Sequence, residues 1–179
     1  MTLLTITSLT AAKRHKRNFD AVLTIEDPRT RPNDRLRFNK RPAPDHLVLR
    51  FEDLDEGPGH LTLPTLADAE AILAFGRRHS TNRLLIHCHA GLSRSTAAGL
   101  AILADRLGPG NEAEALGQLL TVRPEAVPNL LLTAAADQVL GREGRLTAAV
   151  LAENERRPDW QDLRSRKAKL LRDQPYRFF

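Results

Sequence analysis

Residues 84–96 of the chain read LLIHCHAGLSRST. The apolar residues 84–86 are typical of a short strand that lies at the centre of a sheet covered on both faces. The pattern after them predicts a helix from about Ser93 to Leu107, so a short loop containing Cys88 joins a buried strand to the first turn of a helix. This strand–loop–helix unit indicates an α/β fold.

The loop between this strand and helix is suited to binding an anion. Its backbone amides can turn inward to form a concave site, with the positive end of the helix dipole behind them. Gly91 permits the tight turn that this requires. Such an environment should stabilise Cys88 as a thiolate, the nucleophilic form of cysteine. A single cysteine can also be an inert buried residue, but the surrounding pattern favours a reactive one.

Arg94 follows Cys88 by six positions and indicates that the anion is a phosphate. Its planar guanidinium can bind two phosphate oxygens at once, while Cys88 attacks phosphorus. Ser95 can donate a hydrogen bond to the sulfur as it leaves, and His87 can orient the loop. The predicted phosphate-binding residues are His89, Ala90, Gly91, Leu92, Ser93 and Arg94. We expect no metal ion or cofactor, and we expect phosphate, sulfate or vanadate to bind in the loop.

The rest of the chain predicts strands and helices before the loop and helices alone after it. The predicted strands are an opening strand near the N-terminus, 19–25, 47–51 and 84–86, and the predicted helices are 64–79, 93–107, 112–122, 129–140 and 146–157. This order indicates an α/β protein with a central, mostly parallel sheet of four or five strands flanked by helices. The helix at 146–157 and the charged stretch from Pro158 onward are expected to form an extra helical tail.

The amino-acid composition indicates which binding partners and which cellular compartment to expect. The chain has 179 residues, of which 41% are hydrophobic and 27% charged, and this suits one domain with a buried core. No apolar run approaches the roughly 20 residues of a membrane span, and no secretory leader is recognisable. One cysteine precludes an internal disulfide, so we expect a cytoplasmic protein. The net charge of +5 favours an anionic partner such as a phosphorylated protein or peptide, with nucleic acid a weaker expectation.

Residues 87–95, HCHAGLSRS, resemble the active-site signature of the cysteine-based protein tyrosine phosphatases, H-C-x-x-G-x-x-R-[ST]. They are most similar to the compact dual-specificity branch, whose loop usually reads H-C-x-A-G-[IV]-S-R-S. A second segment, 123–130 (RPEAVPNL), resembles the R-P-x-x-x-P-N start of a later helix in that branch. Asn129 in this segment also suits an ordinary helix N-cap.

The resemblance covers about residues 5–140 and divides the chain into two parts. It implies a phosphatase domain of the compact bacterial type at residues 1–143. The basic helical extension at residues 144–179 lies almost wholly outside the resemblance. The extension carries four aromatic residues: Trp160, Tyr176, Phe178 and Phe179. We expect them to pack on the domain, and the alternatives are exchange between subunits or contact with a partner.

The resemblance also implies a general acid, which is an aspartate on a mobile loop after the preceding strand. This acid protonates the leaving oxygen and then activates water against the phosphocysteine. Asp53 and Asp55 are both candidates. We favour Asp53 because it follows the strand in the family's register, and we expect the other aspartate to be a solvated loop residue.

The sequence lacks several elements that define substrates elsewhere in the superfamily. The W-P-D loop, phosphotyrosine-recognition loop and glutamine-rich segment of the larger tyrosine phosphatases are missing, which implies a shallow pocket for phosphotyrosine and also for phosphoserine or phosphothreonine. Lipid phosphatases have lysines where this chain has His89 and Leu92, and RNA 5′-phosphatases have a histidine in place of Ala90. These differences weigh against lipid and RNA substrates, whereas the basic surface keeps an RNA, nucleotide or inositide phosphatase as an alternative, and a phosphate-binding pseudophosphatase is the non-enzymatic one.

Overall fold

The computed structural model describes residues 4–174, and its centre is a parallel β-sheet. The strands are β1 (Leu4–Ser8), β2 (Ala21–Glu26), β3 (Asp45–Arg50) and β4 (Leu84–Cys88). They form one four-stranded sheet in the order β1-β4-β2-β3, and every neighbouring pair within the described range is parallel. The predicted sheet, with the Cys88 strand in its interior, is confirmed.

Helices cover both faces of the sheet. They are α1 (Leu9–His15), α2 (Leu66–Arg78), α3 (Arg94–Leu107), α4 (Glu112–Val122), α5 (Leu130–Val139), α6 (Arg145–Arg156) and α7 (Pro158–Asp173). The bounds of α2 to α6 agree with the sequence predictions to within two residues. The individual helices α1 and α7 were not predicted from the sequence, because their many charged side chains obscure the apolar positions. Ser8 begins α1 by accepting a hydrogen bond from the amide of Ala11 (3.3 Å).

The two central strands, β2 and β4, contribute alternate residues to two separate apolar layers. Leu23 and Ile86 point into the main core, which also contains residues of helices α2 to α7. Val22 and Leu85 point to the other face, where they pack with Ala12 of α1. Because all four strands run in the same direction, the segments that follow β2, β3 and β4 meet at one edge of the sheet.

The last two helices pack on the main core. Leu146 and Val150 of α6 and Trp160 of α7 are fully buried there. The guanidinium groups of Arg157 and Arg164 lie 5.3 and 5.9 Å from the centre of the Trp160 ring. The expectation that Trp160 packs on the domain is confirmed. The other three tail aromatics, Tyr176, Phe178 and Phe179, lie outside the described residues.

Between residues 4 and 174, the structure contains no helix with both the length and the apolar character needed to cross a membrane.

Trp160 is expected to be a major source of stability for the docking of α7. Replacing this fully buried side chain, Trp160→Ala, should lower the free energy of unfolding by about 3–5 kcal/mol, because it removes apolar contacts and leaves a cavity. Urea denaturation followed by circular dichroism measures this loss, since the substitution removes the only tryptophan of the chain. The control is Leu151→Ala on the exposed side of α6, which should change stability by no more than about 0.5 kcal/mol. Equal losses in the two variants would contradict the docking of α7 on the core.

Candidate active site

The loop that joins β4 to α3 surrounds the sulfur of Cys88 with hydrogen-bond donors. Cys88 is the last residue of β4 and is 2% exposed. Its Sγ accepts a hydrogen bond from the amide of Gly91 at 3.3 Å and lies 3.2 Å from the hydroxyl Oγ of Ser95. The Gly91 contact stabilises negative charge on the sulfur, as expected for a thiolate nucleophile, and the Ser95 hydroxyl is close enough to donate to a thiolate as well.

The carbonyl oxygens of the loop are bonded outward, to donors on neighbouring segments. The donor–acceptor pairs are Leu9 N to His89 O (3.0 Å), Arg123 Nε to Gly91 O (3.2 Å), Val127 N to Leu92 O (2.7 Å) and Asn129 N to Ser93 O (3.3 Å). In a trans peptide plane the carbonyl and the following N–H point in opposite directions. The next amides are therefore directed toward the interior of the loop: Ala90, Leu92, Ser93 and Arg94. This arrangement forms a concave set of backbone N–H groups, a geometry suited to binding an anion.

The segment that resembles R-P-x-x-x-P-N is thus a support for the loop. Three of the four outward bonds come from Arg123, Val127 and Asn129. Asn129 also caps α5, because its Oδ1 accepts a hydrogen bond from the amide of Leu132 at 2.9 Å. The sequence predicted only this capping role from the residue itself.

Gly91 is required at its position by both conformation and space. Its φ is +74°, in the left-handed region that L side chains rarely adopt. A Cβ atom at this residue would lie 2.5 Å from the carbonyl carbon of Thr7 and 2.7 Å from the amide nitrogen of Ser8. These are backbone atoms of β1 and cannot move aside as a flexible side chain can.

His87 orients the loop through a chain of buried hydrogen bonds. Its Nδ1 lies 3.2 Å from the carbonyl oxygen of Cys88, which can only accept, so Nδ1 donates. Its Nε2 then accepts from the Thr24 hydroxyl at 2.8 Å, and Thr24 Oγ1 in turn accepts from His46 Nε2 at 2.8 Å. Burial lowers the pKa of His87 to about 4. The imidazole is therefore neutral at physiological pH and acts as a positioning group.

Arg94 is buried beside the loop, and the N–H of its Nε has no hydrogen-bond acceptor among the residues that the structure describes. The residue is 2% exposed, and its Nη1 donates to the carbonyl of Phe51 (2.8 Å) and to Oδ1 of Asp27 (3.0 Å). Its buried Nε donates to no acceptor within the described part of the chain. An unsatisfied buried donor of this kind costs about 1–3 kcal/mol, so a bound oxyanion would be stabilised here.

Asp27 is a site residue that the sequence predictions missed. It directly follows β2, which is adjacent to β4 in the sheet. Since the carboxyl ends of adjacent parallel strands lie at the same edge, its position after a buried strand was a usable signal. Burial lowers the pKa of Arg94, but the charges of Asp53 and Asp27 outweigh this effect and raise it. The guanidinium therefore stays charged.

The two candidate general acids have different surroundings. Oδ1 of Asp53 accepts hydrogen bonds from Ser93 Oγ (2.7 Å) and Lys167 Nζ (2.7 Å), and its Oδ2 lies 3.9 Å from Arg94 Nε. Oδ1 of Asp55 instead accepts from the amide of Leu130 (2.7 Å), where it caps α5. The geometry therefore brings Asp53 to the phosphate loop and gives Asp55 a structural contact. The position of Asp55 differs from the solvated loop position that we expected for the second aspartate, because the Asp55 side chain is only 13% exposed.

Lys167 of α7 completes this cluster and was not predicted. Its Nζ lies within hydrogen-bonding distance of both Asp53 Oδ1 and Ser93 Oγ, at 2.7 and 2.6 Å. Burial raises the pKa of Asp53, but the charges of Lys167 and Arg94 outweigh burial and hold that pKa below its usual value. The sequence gives no signal for this contact, since it depends on where α7 docks.

A cavity of about 670 Å³ opens beside Cys88. It is bounded by the loop residue His89, by Lys13 of α1 and by Leu170 of α7. Two arginines of the segment after β2, Arg29 and Arg31, also line it. Its volume is typical of a site for a small molecule or for one or two side chains.

Comparison with known proteins identifies the fold. No protein-family model matches the chain, and a search of curated proteins finds no match in sequence. Among solved structures, human DUSP28 is similar with a TM-score of 0.57 and 20% identity, over 86% of this chain and 96% of that one. Tk-PTP in its active form gives a TM-score of 0.56 and 22% identity, over 77% and 89% of the two chains. PTPMT1 in complex with PI(5)P gives a TM-score of 0.55 and 18% identity, over 83% and 90%.

Substitution of Gly91 tests whether the close approach of the loop to β1 is essential. Gly91→Ala should destabilise the protein by about 1–3 kcal/mol more than Gly110→Ala, because both glycines have positive φ but only Gly91 contacts backbone. Thermal denaturation measures stability, and calorimetric titration with vanadate measures anion binding. Vanadate binding should be lost only in Gly91→Ala. Unchanged binding in that variant would show that the tight turn is dispensable.

Proposed function

We propose that this chain, which has the fold of the cysteine-based tyrosine and dual-specificity phosphatases, hydrolyses phosphate monoesters through a phosphocysteine intermediate. The observation that supports this most strongly is the combination of groups around one sulfur. Cys88 Sγ accepts from the Gly91 amide, and the buried Nε–H of Arg94 beside the same loop has no acceptor between residues 4 and 174. A phosphoryl group in the loop would satisfy that donor.

In the first step the thiolate of Cys88 attacks phosphorus in line with the ester oxygen. The S–P bond forms, the P–O bond to the leaving group breaks, and Asp53 transfers its proton to the leaving oxygen. The inward amides of the loop and the Arg94 guanidinium stabilise the charge on the equatorial oxygens. Asp53 is suited to this role because Ser93 binds its carboxylate at the rim of the loop.

In the second step water hydrolyses the phosphocysteine. Asp53, now ionised, takes a proton from the water, whose oxygen attacks phosphorus, and the P–S bond breaks. The sulfur leaves as a thiolate and receives a hydrogen bond from Ser95, which lies 3.2 Å from it. His87 remains neutral throughout and keeps the loop in position.

The substrate class that we propose is phosphotyrosine in a protein or peptide, with phosphoserine and phosphothreonine as further substrates. The cavity of about 670 Å³ beside Cys88 has room for an aromatic side chain and adjoining peptide. We place this activity in the cytoplasm, because a catalytic thiolate requires a reducing compartment.

A non-protein substrate is the alternative, and the net charge of +5 over the whole chain favours it. Such a substrate would carry a second anionic group, as an inositide, a nucleotide or a 5′-phosphorylated RNA does. PTPMT1, which has a similar fold, has been crystallised with PI(5)P. A pseudophosphatase is less consistent with the site, because the nucleophile, the arginine and an acid are all present.

A substrate panel tests the proposal. The wild-type chain should hydrolyse p-nitrophenyl phosphate and show its highest kcat/KM with a phosphotyrosyl peptide, compared at one ionic strength with phosphoseryl peptide, PI(5)P and 5′-phosphorylated RNA. Cys88→Ser should lose more than about 10⁴-fold in kcat, because the hydroxyl is a far weaker nucleophile than the thiolate. Phosphate release is measured with both proteins. Retained activity in Cys88→Ser would reject the mechanism, and preference for another substrate in the panel would replace the proposed class.

Variants of Asp53 and Asp55 are expected to differ in how strongly their kcat/KM depends on the leaving group. Asp53→Asn should lower kcat/KM for phenyl phosphate by about 10²-fold or more, and much less for p-nitrophenyl phosphate, whose leaving group needs little protonation. Asp55→Asn should instead lower the free energy of unfolding by about 1 kcal/mol through the weakened cap of α5. The ratio of the two kcat/KM values and a urea titration separate these effects. A large leaving-group dependence in Asp55→Asn would reverse the assignment.

A further inference from the structure

Helix α7 connects the protein core to the candidate general acid. Trp160, Arg164 and Lys167 follow one another at intervals of four and three residues, so they lie on one face of the helix, and Arg157 is its N-cap. Arg157 donates to the carbonyl of Pro124, Trp160 is buried in the core, and Arg164 donates to the carbonyl of Pro128 at 2.9 Å. The same face therefore contacts the segment that supports the loop before it reaches the acid.

Lys167 lies closer to Asp53 than to Asp55. Its side chain is only 14% exposed, and its Nζ lies 2.7 Å from Asp53 Oδ1, 2.6 Å from Ser93 Oγ and 3.8 Å from Asp55 Oδ2. The Asp53 side chain is 30% exposed, so this partly shielded ion pair is screened less by salt and water than a fully exposed pair. Ser93, which immediately precedes Arg94, joins the lysine and the acid to the phosphate loop.

We propose, on the basis of the phosphatase activity proposed above, that Lys167 is a positioning residue that docks Asp53 against Ser93 and keeps its carboxyl ionised in the free enzyme. Helix α7 then belongs to the active site, because it sets the pH range in which the acid can donate a proton.

The other charged groups around Asp53 do not account for the same effect. Arg94 of α3 lies farther away, at 3.9 Å, and its Nη1 is paired with Asp27. Arg164 of α7 pairs with Asp55 at 2.8 Å, and Glu52 pairs with Arg29. Within the described residues, Lys167 is thus the cation in closest contact with Asp53. The lowered pKa of Asp53, in which the charge of Lys167 is the main factor opposing burial, is consistent with this geometry.

The two halves of the reaction need opposite states of Asp53. Transfer of the phosphoryl group to Cys88 requires the protonated acid, whereas hydrolysis of the phosphocysteine requires the carboxylate. A lowered pKa leaves little protonated Asp53 at pH 7, so only a small fraction of the free enzyme can carry out the first step. Removal of the Lys167 charge should raise that pKa and increase the protonated fraction.

The pH dependence of kcat/KM tests this, because it reports the acid of the free enzyme. For phenyl phosphate, kcat/KM should fall on the alkaline side of its pH profile, where Asp53 loses its proton. In Lys167→Met this descending limb should move to higher pH. The value of kcat/KM at pH 7, relative to the maximum of the same variant, should rise about tenfold, as expected when one contacting opposite charge is removed. The pH at which kcat/KM begins to fall is the criterion. A misaligned Asp53 would lower kcat/KM at every pH but would not change the pH at which it falls.

Two matched variants serve as controls. Lys167→Arg retains the positive charge and should keep the limb at the wild-type position. Lys169→Met removes an exposed charge of the same helix that pairs with Asp173, and it should also leave the limb unchanged. An unmoved limb in Lys167→Met, or an equal movement in Lys169→Met, would overturn the proposal.

A measurement without turnover separates this proposal from the proposed activity. The ¹³C NMR resonance of the Asp53 carboxyl group is followed against pH in the Cys88→Ser protein, which lacks the nucleophilic thiol. It should titrate at higher pH when Lys167→Met is combined with Cys88→Ser. The Asp53→Asn variant assigns the resonance, because it removes that carboxyl group. If the wild type hydrolyses no phosphate ester, the activity is wrong, yet the titration still tests the lysine. If hydrolysis occurs and neither the limb nor the titration moves, only the role of Lys167 is wrong.

Discussion

The outward hydrogen bonding of the loop carbonyls is the constraint on which the rest of the site depends. A short loop of peptide units would normally expose carbonyls and amides to both sides, and carbonyls facing the sulfur would repel a thiolate and a phosphate alike. Leu9, Arg123, Val127 and Asn129 bind four of these carbonyls from outside the loop. The planar peptide then turns the following amides inward. The inward orientation of the loop amides is therefore set by donors that lie outside the loop.

The charged side chains around the loop are paired with opposite charges, because water reaches them poorly. Arg94 is buried, and a buried guanidinium is tolerated only when it is paired. Asp27 and the carbonyl of Phe51 hold one nitrogen of Arg94, while Asp53 lies close to another. Asp53 in turn is bound by Lys167, so a helix near the end of the chain is electrostatically coupled to the loop. A change at any of these charges alters the stability of the others.

The residues that could be predicted from the sequence are those whose role depends on near neighbours in the chain. Cys88, Gly91, Arg94 and Ser95 lie within one strand–loop–helix unit, so spacing alone brought them together. Asp53 could be ranked above Asp55 from its place after a strand. Packing of Trp160 on the domain was also expected, but the contact of Lys167 with Asp53 could not be predicted, because it depends on how α7 is oriented on the core. Asp27 was missed although its position after a buried parallel strand indicated the active edge of the sheet.

The sequence by itself determined the parallel α/β sheet, the central position of β4 and the identity of the loop, because each follows from local hydrophobic pattern and residue spacing. Only the tertiary structure decided which carbonyls are held outward, which aspartate meets the loop and which cation meets that aspartate. These are contacts between segments as much as 114 residues apart, as for Lys167 and Asp53. Their partners are selected by the packing of helices and strands, and local sequence pattern carries no information about that choice.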